Sequence, residues 1–286
     1  MRRFLYLVLA IGISAFLLLT ARDVLIDSLA TNDVRRLGRA FELASLYRQQ
    51  LAERGQAFDA GSWIDPKVVA DVTGSASMRA AADSCLDEAS RGALAIHLGT
   101  LDQAVLSGAS DRQVRALLAD ADQSVAQRLQ CTPTDGNAWL LRAQILAQRG
   151  GDMTTLGRLL DLSYFYAPAE KWIMIPRLHL VGRLIDSGRL RVPPQYGLDL
   201  DRVIRLSQPS EIASLYVGGG ENSRRLMRTV IDQQRLDRRI RILRAIDALG
   251  VSYPVAATCQ PPAVAGPPGA ELELRRPADL VAACAR

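Results

Sequence analysis

Residues 133–168 read PTDGNAWLLRAQILAQRGGDMTTLGRLLDLSYFYAP. Pro133 opens a helical stretch that carries Trp139 and Ala143, Gly150-Gly151 interrupts it, and a second helical stretch runs to Pro168. Two helices joined by a glycine turn make a hairpin, and its apolar faces need neighbours of the same kind to cover them. The same spacing recurs on either side. Upstream, Met78, Ala82, Cys85, Ala89, Ala93 and Ile96 form one helical stripe, and Val114, Leu117, Leu118, Ala121, Val125 and Leu129 form another. Gly108-Ala109-Ser110 separates the two, with Ser110 and Gln113 placed as in a capping box. Downstream, 169–187 starts as a further helix that Pro176 interrupts, 200–206 and 209–217 predict short helices, and Glu221–Leu249 predicts one long helix. Aromatic residues make up only 5% of the chain. The β-branched residues fall mostly within helix-period patterns, so the predicted fold class is all-α.

The 133–168 stretch resembles a tetratricopeptide unit. That repeat sets a proline before its first helix, a tryptophan six residues on, a small residue four later for close helix contact, and then a glycine turn. Pro133, Trp139, Ala143 and Gly151 occupy those places, and Pro168 follows Pro133 at close to the usual period. Arg142 stands where leucine is common, and Leu156 where the second helix expects a small residue. The resemblance implies a stack of two to three helix pairs over 78–190 that binds peptides or partner proteins and carries no chemistry of its own.

Residues 4–21 contain no charge and no proline, and Arg2 and Arg3 precede them. At 1.5 Å per residue this run covers about 27 Å, close to the ~30 Å hydrocarbon core of a bilayer. A cleaved signal peptide needs small residues at the last and third-last positions, and Leu19-Thr20-Ala21 puts leucine in the third-last place. A retained transmembrane helix is therefore the favoured reading. The two arginines favour a cytoplasmic amino terminus, 1–3. The expectation is a single-pass protein of the bacterial inner membrane with the bulk of its chain periplasmic. Along that chain follow a juxtamembrane helix (22–55), a connector (56–77), the tetratricopeptide-like domain (78–190), a C-terminal helical segment (191–250) and a Pro-rich tail (251–286).

The cysteines are Cys85, Cys131, Cys259 and Cys284, with no CxxC and no neighbouring histidine, a pattern that argues against a zinc site or a redox motif. Gly108 lies midway between Cys85 and Cys131, so a hairpin folded there brings the two sulfurs level. The predicted disulfides are Cys85–Cys131 and Cys259–Cys284, against the alternative of free thiols. No metal and no cofactor is predicted. The net charge of +5 rests on arginine, with Lys67 and Lys171 the only lysines. That skew fits a GC-rich bacterial genome and gives no support to a nucleic-acid partner.

Motifs of catalysis are absent: there is no HExxH, GxSxG or GxxxxGK[ST]. His97 and His179 sit among apolar residues and read as structural. The run 221–249 holds eight arginines and four acids. On one continuous helix, Arg224, Arg228, Arg235, Arg238 and Arg239 share a sector about 100° wide. Guanidinium forks so arranged suit an anionic lipid, an acidic glycan or an acidic partner; the alternative is a solvated face. Gly218-Gly219-Gly220 reads as a hinge or as an anion-binding helix start. Trp139 and Trp172 read as interhelical core or as platforms for a sugar ring. The expected role is a membrane-anchored, exported scaffold of the cell envelope, in polysaccharide synthesis or export, with other envelope proteins as partners. Competing roles are a glycan-acting enzyme using acids such as Glu170 or Glu211, and a chaperone-like partner of a secretion machine.

Overall fold

The computed structural model describes residues 29–53 and 64–254, together with Ile13 and Arg22, and every regular element among them is an α-helix. The predicted membrane segment 4–21, apart from Ile13, the tail beyond Pro254 and the Cys259–Cys284 pairing lie outside the described residues. Within the described residues no helix is long and apolar enough to cross a membrane. The chain divides into two compact units between Tyr166 and Ala167.

The first unit holds α1 (Asn32–Glu53), α2 (Pro66–Thr73), α3 (Ala76–Asp83), α4 (Asp87–Leu106), α5 (Asp111–Cys131), α6 (Gly136–Gln148) and α7 (Met153–Tyr166). Short polar side chains start these helices by accepting otherwise unpaired N–H groups. Ser75 accepts from Met78 N–H at 3.1 Å, Ser110 from Gln113 N–H at 3.4 Å, and Asp135 from the Asn137 and Ala138 N–H groups at 3.0 Å each. Gly108 (φ +72°) and Gly150 (φ +68°) end α4 and α6 in the left-handed conformation that glycine adopts without steric cost. The N–H groups of Ala109 and Gly151 then reach back to the Ala104 and Leu146 carbonyls at 2.9 Å each. Reversals this short fold α4 against α5 and α6 against α7 as antiparallel hairpins. Trp139 donates to the Pro133 carbonyl at 2.8 Å, and Ala143 and Leu156 are fully buried. Arg142 reaches back to Asp122 of α5 at 3.4 Å, which accounts for its departure from the leucine of the repeat.

The predicted disulfide forms: Cys85 and Cys131 are bridged, with Cα atoms 5.2 Å apart. The helix expected to carry Cys85 is broken, however. Ser84 Oγ accepts the Leu86 N–H at 3.0 Å, and Cys85 sits exposed in the gap between α3 and α4. A second clamp crosses the same junction. Arg128 of α5, 8% exposed, donates to Asp135 (2.7 Å), Asp87 (3.0 Å) and Ser90 Oγ (3.2 Å), tying the starts of α4 and α6 to the end of α5.

Helix α1 lies along α4 in the same direction, with Arg39 on Glu88 and Arg48 on Asp102. Their backbones touch at two glycines. A Cβ on Gly38 would stand 2.4 Å from the Gly92 Cα, so no side chain fits there without parting the helices. Val34, Leu37, Phe41, Met78, Ala89, Ala93 and Ile96 fill the core beside that crossing. Burial of a side chain of the Val, Leu, Ile, Phe or Met class stabilises by roughly 1.5–3 kcal/mol.

The second unit holds α8 (Lys171–Asp186), α9 (Pro194–Leu206), α10 (Pro209–Gly218), α11 (Glu221–Ile231) and α12 (Leu236–Ala248). Its centre is an ion pair shut off from water. Arg177 (0% exposed) donates through Nε to Asp199 (2% exposed) at 2.7 Å and through both Nη atoms to the Ala167 carbonyl at 3.2 Å. The long helix predicted over 221–249 is two helices, parted at Asp232–Arg235. Periodicity runs through the break, but the Asp232 carboxylate accepts from the Tyr253 hydroxyl at 3.0 Å and its carbonyl from Arg239 at 3.3 Å. Both contacts hold the chain in the turn.

Candidate interaction surface

The break at Asp232 disperses the arginine strip that a continuous helix would have presented. Arg224 donates to the Tyr216 and Val217 carbonyls at 3.0 and 2.7 Å, closing the carboxyl end of α10, and its guanidinium stacks 5.6 Å from the centre of the Tyr216 ring. Arg238 donates to the Ile204 and Ser207 carbonyls at 2.9 and 2.8 Å, closing the end of α9. Arg228 bridges Glu221 at 2.7 Å and Arg239 holds the Asp232 carbonyl. Only Arg235 projects freely into solvent, with its side chain 92% exposed beside Asp237 at 3.7 Å. Helix ends leave carbonyls unpaired at the negative pole of the helix dipole, and guanidinium groups satisfy both the geometry and the charge. Four of the five predicted anion-binding arginines therefore hold carbonyls or a carboxylate at hydrogen-bond distance inside the unit, and the fifth pairs loosely with Asp237.

The glycine triplet binds an anion, and the anion is the chain's own. The Asp186 carboxylate accepts from Gly220 N–H (2.8 Å), Ser223 N–H (2.9 Å) and Ser223 Oγ (2.7 Å) at the start of α11. Burial alone would raise its pKa, but the hydrogen bonds from Ser223, Gly220 and Asn222 outweigh it and hold the carboxyl below its ordinary value. A Cβ on Gly220 would come within 2.6 Å of the Asp186 carboxyl carbon, so glycine is what lets the carboxylate approach. Tyr196 is buried beside Asp186, and burial followed by that negative charge pushes its hydroxyl up to about 12.

The two tryptophans part company. Trp139 is half-buried against the α4–α5–α6 core, as expected. Trp172 is not core: it is 60% exposed at the start of α8. At 100° per residue, Trp172, Ile175, Pro176, His179 and Arg183 fall on one face of α8. Ile175, Pro176 and His179 are half-buried and Arg183 is exposed. Pro176 lacks the N–H that would bond the Trp172 carbonyl, so that acceptor is left over within the helix. Helix α10 runs beside this face in the same direction: Lys171 bonds Glu211 at 2.6 Å, and the His179 ring lies against Gly218. Burial, reinforced by the Arg183 charge, keeps the His179 imidazole below its ordinary pKa.

Glu211 is committed to Lys171 and to the Gln208 N–H of its own capping box, at 2.6 and 2.8 Å. Glu170 is the N-cap residue of α8. Among the described residues no group of three His, Cys, Asp or Glu side chains is placed to hold a metal ion. In the first unit a groove of about 60 Å³ opens over Gly92, lined by Arg35, Arg39, Arg91, Glu42 and Glu88, with Arg35 and Arg39 both turned onto Glu88. The chain matches no protein family, no curated protein and no solved structure.

Proposed function

We propose that the protein is a membrane-anchored, exported helical-repeat adaptor of the bacterial cell envelope, working in polysaccharide synthesis or export. The observation that carries this reading is the Cys85–Cys131 bridge, exposed at Cys85 and half-buried at Cys131, a bond of the kind that forms and persists in oxidising compartments. The charge-free run 4–21 behind Arg2 and Arg3 supplies the anchor and the orientation. A tetratricopeptide-like stack of hairpins supplies binding surface, and single-span proteins with exported stacks of that kind recur in polysaccharide systems.

Deletion of the gene tests the role. The reading expects loss of a surface polysaccharide, restored by the full chain and not by a chain lacking residues 1–21. Unchanged polysaccharide together with loss of a secreted protein would move the adaptor to a secretion machine.

A further inference from the structure

We infer that the outward face of α1, from Arg36 to Tyr47, rests on the surface of the bilayer that the charge-free run 4–21 enters. The inference rests on the anchor of the adaptor reading and adds to it a second, shallow membrane contact. At 100° per residue Arg36, Arg39, Leu43, Leu46 and Tyr47 share a sector about 100° wide, and no acid of α1 falls within it. Val34, Leu37 and Phe41 point the other way, into the core against α4. The second half of α1 is therefore apolar on two sides, and the outer one stays open to solvent: Leu43 is 62% exposed, Leu46 58%, and Tyr47 is exposed beside them. Side chains three and four residues apart on a helix are neighbours, so these three form one patch.

Position in the chain names the occupant. Ten residues separate the run 4–21 from Asn32, the first residue of α1. A gap of that length spans at most about 40 Å, so the anchor holds the face near the bilayer at a high effective concentration. Leu29, within the gap, is itself exposed. Leucine and tyrosine beside arginine are the side chains of a helix that lies in the interface. The leucines enter the acyl boundary, tyrosine sits at headgroup level, and the arginines reach lipid phosphates. Charge is not what selects the bilayer. Asp33 and Glu42 are exposed on either side of the sector, and Glu88 of α4 bridges Arg39 at 3.2 Å and Arg35 at 3.5 Å. The apolar side chains carry the contact, and the anchor supplies the proximity.

The test is photo-cross-linking of the full chain in vesicles of phosphatidylethanolamine and phosphatidylglycerol, with p-benzoylphenylalanine replacing Leu43, Leu46 or Tyr47 in turn. Phe165 is the reference position: it is 75% exposed on α7, which packs on α6 at the other end of the hairpin series from α1. Lipid adducts from the three α1 positions should exceed those from position 165 at least fivefold, and the same substitutions in cells should again yield lipid. Equal lipid adducts at position 165 overturn the inference, because contact would then be indiscriminate. Adducts from α1 to a second copy of the chain, to its own residues 54–63 or 255–286, or in cells to another protein also overturn it. Extraction with alkaline carbonate separates this outcome from failure of the anchor. A chain retained in the vesicles without lipid adducts at α1 sinks the interfacial face and leaves the anchor standing, whereas a chain that carbonate releases sinks the anchor and the inference with it.

Discussion

Arg238 and Arg235 lie three residues apart and do opposite things. Arg238 caps α9 through two carbonyls, whereas Arg235 meets water. Replacing Arg238 by Gln should cost roughly 1–2 kcal/mol, since charge-assisted hydrogen bonds are lost from a half-buried site and helix-end carbonyls are stranded. Arg224→Gln should cost a similar amount, and Arg235→Gln should stay within about 0.5 kcal/mol. Urea unfolding of the three variants decides it, and equal stability for all three would refute the capping roles. Asp186 gives a pH signature at the same scale. Its folded pKa lies below the ordinary 3.8, so folding favours the carboxylate. The stability it contributes is complete above that ordinary value and is lost as pH falls through the lower folded one. Asp186→Asn should therefore destabilise the protein at neutral pH and flatten the acid limb of its stability curve; an acid limb identical to that of the parent would contradict the latch. Sequence reading weighed the glycine triplet as a hinge first and an anion-binding helix start second, and gave it no occupant, because Asp186 lies thirty-four residues from Gly220 and no local pattern joins them.

At the scale of elements, hairpins were legible and breaks were not. Gly108 and the two flanking stripes are local signals, and they are enough to predict the hairpin of α4 on α5 and the Cys85–Cys131 bridge. The 221–249 run kept its period across Asp232–Arg235, so nothing local marked the turn. Its cause is tertiary: Tyr253 bonds Asp232, and Arg238 is drawn to α9. Trp172 failed for a related reason, since repeat spacing says that a residue faces a neighbour position but not whether a neighbour is there. The bridge closes a separation of 46 residues, about 4 kcal/mol in the chain-entropy model. Arg128 already holds the same junction, so the two clamps should couple. Cys85→Ser with Cys131→Ser should cost about 2–4 kcal/mol, and Arg128→Met should cost more in that background than in the oxidised parent. Strict additivity in a double-mutant cycle would show the two clamps to be independent.

For the whole molecule, two helical units follow a charge-free amino-terminal run, and the described residues divide after Tyr166. The core of each unit is largely buried apolar surface, joined in the second by the Arg177–Asp199 pair, and several arginines close helix ends or cross between helices. Fold class is readable because period and glycine punctuation act locally, whereas the exposure of Trp172 depends on which side of α8 its neighbours leave open. The adaptor account stands on export, and export is directly measurable. A reporter enzyme active only outside the cytoplasm, joined after Arg286 and assayed in membrane and soluble fractions, tests it most directly. The account predicts an active reporter that sediments with membranes on a chain still beginning at Met1. An inactive reporter would place the chain in the cytoplasm, and an active soluble one beginning near Arg22 would show a cleaved leader in place of an anchor.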